Sequence, residues 1–508
     1  MTRGKSILCF LASVLLLCSL LLLTSCSRSS AEAASAPQPA AKPPAAATFP
    51  QPFTHTVKPG ESLPGVLREY IAHTSFMTGR EFEVALREAN HKPSGIALKP
   101  GQQLVIPGYE AGPIVEHSVV VPRDFEVKAI YLTGTMAGSD NGIRLVRRWH
   151  DLGGNAVVFD IKDSDGSLNV AFDHPLAPHA KHHSIRNLPK LVRFLHSQNM
   201  HAIARIALFR DELLARSHPA LAVQSARALK AAAESKTAPE PWHENGKLVW
   251  ADSSNPEVQS YDLALAKFVA QSGVDEVQFD YVRFPAEGDQ ADARFAFMTL
   301  HPGWKRADVI ADFLDHAYGE LRPTGVLVSL DVFGVMAWER TVDLAHTGQD
   351  IVRMARFCDV LSPMIYPSHF FGMDGYAAPG DAPEHFISES MKRFAAVTKG
   401  SGVVLRPWLQ AFAWRTKTYS PQYIETQVLA ARNNGGIGFL FWNARNDYAR
   451  PFTAMPQMNA QAGLYFQPVV SAAAHQADSA KPNTPEIPAP ASASSTTTRA
   501  RVPAGPPS

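Results

Sequence analysis

The sequence predicts an α/β protein whose main body is a (β/α)8 barrel of the TIM type. Eight short apolar runs recur between residues 127 and 443. They are VKAIYLT (127–133), NAVVFDIKD (155–163), HAIARIALF (201–209), DEVQFDYVRF (275–284), GVLVSLDVFG (325–334), CDVLSPMIYP (358–367), GVVLRPWLQAF (402–412) and GIGFLFWN (436–443). Helical patterns lie between them, at Gly142–Leu152, Leu188–Gln198, Glu257–Ser272, Ala307–Leu321, Phe386–Lys399 and Pro421–Asn433. Strands that alternate with helices build a parallel sheet, and eight such units over this length fit a closed barrel. An open, doubly wound sheet is the alternative. No G-x-G-x-x-G follows the first run, so the nucleotide-binding form of that sheet has no support.

At the N-terminus, Arg3 and Lys5 precede the apolar run ILCFLASVLLLCSLLLL, the pattern of a targeting leader. Leu23-Thr24-Ser25-Cys26 follows and resembles a bacterial lipobox. The resemblance implies a signal peptide over residues 1–25 and a lipidated Cys26. It also implies an exported lipoprotein of the cell envelope, membrane-anchored on a periplasmic or outer surface. An uncleaved anchor is the alternative. Of four cysteines only Cys358 lies in the folded body, so no intrachain disulfide is expected there, and Cys358 reads as a small buried hydrophobe. Residues 26–52 and 468–508 are rich in Ala, Pro, Ser and Thr and cannot bury a core, so they read as a linker and a disordered tail.

Residues 53–110 form a first small unit. HTVKPGESL opens it and IALKPGQQLVIPG closes it, each with a β-type run beside a Lys-Pro-Gly turn. Between them Val66 to Tyr70 and Phe82 to Ala89 read as helices, with Pro64 in a first turn, where proline is tolerated. The order is βααβ. With the segment ALREAN, this unit resembles a LysM domain over its whole length. The resemblance implies binding of glycans that contain N-acetylglucosamine, chiefly peptidoglycan.

The barrel spans 124–460, and barrel active sites lie at the C-terminal ends of the strands. Those ends are polar and aromatic here: Asp160, Lys162, Asp163 and Asp165 on the second, Arg205 on the third, Asp280 and Arg283 on the fourth. Asp331 ends the fifth, Tyr366 and His369 the sixth, Gln410 and Trp414 the seventh, Trp442 and Asn443 the eighth. Side chains alternate along a strand. If Val277, Phe279 and Tyr281 face the helices, then Gln278, Asp280 and Val282 face the axis. By the same rule Ser329 and Asp331 point inward, and Val158, Asp160 and Lys162 share one face. Three carboxylates therefore converge on one mouth. Two carboxylates across a cleft are what glycosidic hydrolysis needs, and like charges close together raise one pKa. The structural alternatives are a turn cap for Asp160 and Asp163, and an ion pair with Arg205 or Arg283 for Asp280. His174, His179, His182 and His183 lack a zinc spacing and read as a solvated loop.

AIYLTG, NAVVFDIKDSDG, DEVQFDYVRFP, VSLDVFG, LSPMIYPSHF and the Trp442–Asn443 pair together resemble the bacterial glycosyl-hydrolase-like (β/α)8 family, over nearly all of 127–445. The resemblance implies a glycoside hydrolase in which Asp280 is the nucleophile or base and Asp331 its partner. Asp160 would then support the site or bind substrate, and Lys162, Asp163, Arg205, Arg283, Tyr366, His369, Gln410, Trp414, Trp442 and Asn443 are the other candidate substrate contacts. The expected partner is a polysaccharide substrate that contains N-acetylglucosamine, peptidoglycan or an associated cell-envelope polysaccharide, with no metal and no organic cofactor. A net charge of +1 without a basic block argues against nucleic acid. A glycan-binding protein without turnover and an envelope scaffold are the competing classes.

Overall fold

A computed structural model describes residues 52–92, 97–247 and 250–467. The leader, Cys26, nearly all of the linker and the tail lie outside the described residues. None of the described helices is long and apolar enough to cross a membrane.

The small unit has the expected order. Strand β1 (Phe53–Thr56) pairs antiparallel with β2 (Gln103–Ile106), and helices Leu63–Tyr70 and Gly79–Ala89 lie between them. Ser62 caps the first helix and Pro64 sits in its first turn. Thr78 and Glu81 form a capping box on the second. Val57, Val66, Phe82, Leu86, Leu104 and Ile106 form the core of the unit.

The barrel strands follow as β3 (Lys128–Leu132), β4 (Ala156–Lys162) and β5 (His201–Ala207). After them the chain makes β6 (Gln224–Ser225), β7 (Glu276–Asp280) and β8 (Ala293–Arg294), then β9 (Leu327–Phe333) and β10 (Val360–Ile365). β11 (Val404–Leu405), β12 (Trp408–Gln410) and β13 (Phe439–Trp442) complete the set. β11 and β12 are one barrel strand interrupted at Arg406-Pro407, where proline supplies no N–H. The order β3-β4-β5-β7-β9-β10-β12-β13 closes on itself, and every neighbouring pair is parallel. β6 and β8 form a separate antiparallel ribbon that joins the insertion after β5 to the loop after β7.

Two apolar layers follow from the alternation. Val277, Phe279, Val328 and Leu330 belong to the layer under the helices, while Val127, Ala129, Tyr131, Val158, Trp408 and Leu440 fill the barrel. Glu276 lies in the strand beginnings, bonded by Arg406 (2.8 Å) and His201 (3.1 Å). The small unit docks on the barrel flank. The Lys190 ammonium donates to the carbonyls of Ile71 and Phe76, Asn187 donates to Ala72, and the Gly79 N–H donates to Asp140. Arg147 pairs with Glu81, and Arg193 with Glu110 and Glu116.

Candidate active site

Arg205 on β5 gathers the three predicted carboxylates. Its Nη1 donates to Asp160 on β4, its Nη2 and Nε donate to Asp280 Oδ2 on β7 (2.5 and 3.2 Å), and Nε lies 3.8 Å from Asp331 Oδ2 on β9. The strand alternation predicts this convergence: Asp160 lies in register with Arg205, and Asp280 is the next inward position after Gln278, which is in register with Arg205. Asp280 pairs with Arg205 and not with Arg283.

The three carboxylates differ in surroundings. Asp160 is fully buried, with one oxygen taken by Arg205 and the other by the Tyr131 hydroxyl. Asp331 is 1% exposed; Trp408 Nε1 donates to its Oδ1 at 2.7 Å, while Oδ2 has no hydrogen-bond partner among the described residues. Asp280 is the most open at 6%, and its Oδ1 accepts from the Tyr281 N–H at 2.6 Å. Burial raises Asp160 to about 7, with Asp163 adding and Arg205 opposing. Burial and then Asp280 hold Asp331 well above the ordinary carboxylate range. Burial works against the Arg205 charge, but Asp160 and Asp280 outweigh it and keep the guanidinium charged. One cation faces three acids, and burial disfavours the charged forms of Asp160 and Asp331.

Aromatic side chains frame this cluster. Tyr366 stacks on Trp442 at 5.5 Å between centroids, and Phe412 meets both edge-on. His369 lies 4.9 Å from Trp414, which is 48% exposed and touches Phe371. This wall suits sugar faces, which stack on aromatic rings through their C–H edges.

Three predicted contacts fall elsewhere. A β-bulge between Asp160 and Lys162 breaks the alternation. Lys162 therefore points under the helix Pro256–Gln271, where its ammonium meets Asp262 (2.7 Å) and Asp211 (2.8 Å). Gln410 spends its amide on Ser368, Phe412 and Thr416, and Asn443 spends its own on Ala411, Asp447 and Arg445. Both brace loops and have no group left for a ligand. Asp163 stays beside Asp160 and accepts from Asn169. The strand also stops at Asp280, short of the expected residue 284, so Val282 joins the outer layer and not the axis. Tyr131 and Trp408 were missed; both lie on inward positions that the same alternation identifies. Among the described residues, no group of three or more His, Cys, Asp or Glu could hold a metal ion.

Residues 129–448, well over half of the chain, match the protein family described as "Putative glycosyl hydrolase domain". The chain belongs to this family. As a member of the glycosyl hydrolase domain family, it carries the match across every barrel strand and all four charged residues of the cluster. Similar solved structures include a hypothetical protein from Ruminiclostridium thermocellum, at 32% identity over 40% of this chain and 97% of the other, with TM-score 0.32. The PgaB (BpsB) glycoside hydrolase domain from Bordetella bronchiseptica is similar at 16% identity, over 68% and 99%, with TM-score 0.48. The spore cortex-lytic enzyme SleL from Bacillus megaterium is similar at 12% identity, over 82% and 86%, with TM-score 0.39. No curated protein matches the chain.

Proposed function

We propose that the protein hydrolyses a glycosidic bond in peptidoglycan or an associated envelope polysaccharide. The observation that carries the reading is the Arg205 cluster, in which one guanidinium holds three carboxylates from three strands at the barrel mouth. Two groups in different protonation states are what the reaction requires. Asp280, hydrogen-bonded twice by Arg205 and the most open of the three, is the nucleophile or base. Asp331, kept protonated by burial and by Asp280, is the proton donor; its Oδ2 is free of other bonds, whereas both Asp160 oxygens are occupied. Asp160 holds Arg205 in place. The small unit, with its LysM-like order, would bind the same class of polymer and raise its local concentration at the barrel. A lipid on Cys26 would keep both at a membrane surface.

The test incubates the intact chain, wild type and Asp280→Asn, with purified peptidoglycan, peptide-free glycan strands and envelope polysaccharides. Mass spectrometry then scores new reducing ends. Release by wild type and a loss of at least ~100-fold in the variant are expected, as for removal of a catalytic acid or base. A second reading, glycan binding without turnover, draws on the burial of Asp331 Oδ2 away from any ligand. Equal glycan binding by both forms with no product from any substrate would replace the first reading with the second.

A further inference from the structure

Arg283 is a buried charge without a counter-ion among the described residues. It is 8% exposed, and its guanidinium packs over Phe333 (4.3 Å), Trp250 (4.8 Å) and Tyr281 (5.2 Å). Among the described residues its one hydrogen bond goes from Nη1 to the carbonyl of Phe284 at 3.0 Å. No carboxylate among the described residues forms an ion pair with it. Besides the Tyr281 phenol, the carboxylates that act on it from a distance are Asp280 and Glu244. Asp280 is held by Arg205, and Glu244 accepts from Trp250 Nε1 (2.7 Å) and the Glu287 N–H (3.3 Å).

A second cation stands beside it. Arg210 lies 5.4 Å from the Tyr281 ring centre and donates to the carbonyl of Ser164 at 2.8 Å. It too has no carboxylate partner among the described residues. Ser164, Arg210, Arg283 and Phe333 follow or close the strands β4, β5, β7 and β9, so the pair sits at the mouth, one turn of chain from Asp280. Between them Tyr281 holds a left-handed backbone (φ 52°), which an aromatic residue adopts only at a cost. Buried cations are retained where an anion meets them, and a planar guanidinium matches a carboxylate in two-pronged fashion.

We infer that Arg283 and Arg210 form a carboxylate-binding subsite beside the reacting centre, and that the glycan bound here carries a free carboxylate on a sugar next to the bond at Asp280. The inference rests on the proposed glycan substrate and adds its chemical class. In intact peptidoglycan the lactyl carboxyl is consumed in an amide to the stem peptide. The subsite therefore selects strands from which peptides have been removed, or polymers of uronic acids. In the first case an amidase-class reaction must supply the substrate.

The experiment measures binding and product release for the intact chain on four probes. These are intact peptidoglycan, peptide-free glycan strands, the same strands with the carboxylate reduced to the alcohol, and an oligouronic acid. Wild type is expected to prefer one free-carboxylate glycan over the reduced strands by at least ~10-fold, the scale of one charged contact. Arg283→Gln should erase that preference, and Arg210→Gln, at a half-buried position, should diminish it while leaving the fold intact. Which free-carboxylate probe is preferred separates the lactyl from the uronic source. Affinity of wild type for both free-carboxylate probes no higher than for the reduced strands overturns the inference, whether or not Arg283→Gln folds. So does a preference that survives both substitutions. An arginine-dependent preference in binding with no product from any probe leaves the subsite standing and removes the hydrolase reading.

Discussion

Asp160, Asp262 and Glu276 are all buried carboxylates, yet their environments push them in opposite directions. Burial raises Asp262 from its ordinary 3.8 to about 7 with Lys162 opposing, and raises Asp160 to a similar value. Burial also acts on Glu276, but Arg406 and His201 outweigh it and lower the group from 4.5 to about 2. The signs follow from linkage. A carboxyl whose folded pKa is raised binds its proton more tightly in the native state, so its contribution declines as pH climbs from about 4 toward 7. A carboxylate whose folded pKa is depressed contributes above 4.5, and the contribution is lost as pH falls toward 2. Thermal melts across pH 3–8 should therefore show greatest stability at weakly acidic pH, on the order of pH 5. Asp262→Asn should flatten the decline on the neutral side. Glu276→Gln leaves Arg406 buried without its partner and should cost roughly 3–5 kcal/mol at pH 7. A Glu276→Gln protein that melts like wild type at neutral pH would show that the barrel floor does not depend on this pair.

At the scale of elements, alternation along each strand accounts for what the sequence reveals and where it stops. Asp160, Asp280, Asp331 and Arg205 were legible because their strands are regular up to those positions. Lys162 was not, because one extra residue in β4 turns it to the other face, and nothing in NAVVFDIKD announces a bulge. Gln410 and Asn443 sit at strand ends as expected, but a side-chain amide serves a loop as readily as a ligand, and only the folded loops decide between the two. The helices at Leu188 and Pro421 start where the sequence pattern places them, and Asn187 and Ser420 cap them locally. Lys162 now has a structural role that can be measured. Lys162→Met removes the cation between Asp211 and Asp262 and should lower stability by about 3 kcal/mol or more. Affinity of the folded fraction for glycan should be unchanged, since Lys162 lies outside the mouth. A loss of glycan affinity without loss of stability would return it to the site.

For the whole molecule, the decisive feature is the seam between the small unit and the barrel flank. A cavity of about 450 Å3 lies there, lined by Leu67, Ile71, Ala137, Ile143 and Leu191 among others and by none of the three carboxylates. Lys190 closes one side of it with its two carbonyl contacts. Lys190→Ala leaves those carbonyls without their donor, at a cost of about 1–3 kcal/mol. Calorimetry should then resolve a separate low-temperature transition for the small unit, where wild type melts as one. Two transitions in wild type would show that the seam does not couple them.

The same seam sets where the chain can be cut. Alignment to the family begins at residue 129, and a fragment made from that point would look complete by the barrel strands alone. It would also expose Lys190, Arg147 and Arg193 without the groups that hold them, along with the apolar flank under the helix Gly79–Ala89. Asp275, which accepts from Val119 at 2.6 Å, would lose the strap that crosses it. The smallest piece with its surfaces intact starts near Pro52, so crystallisation and screening fragments should carry the small unit even when only the barrel is of interest.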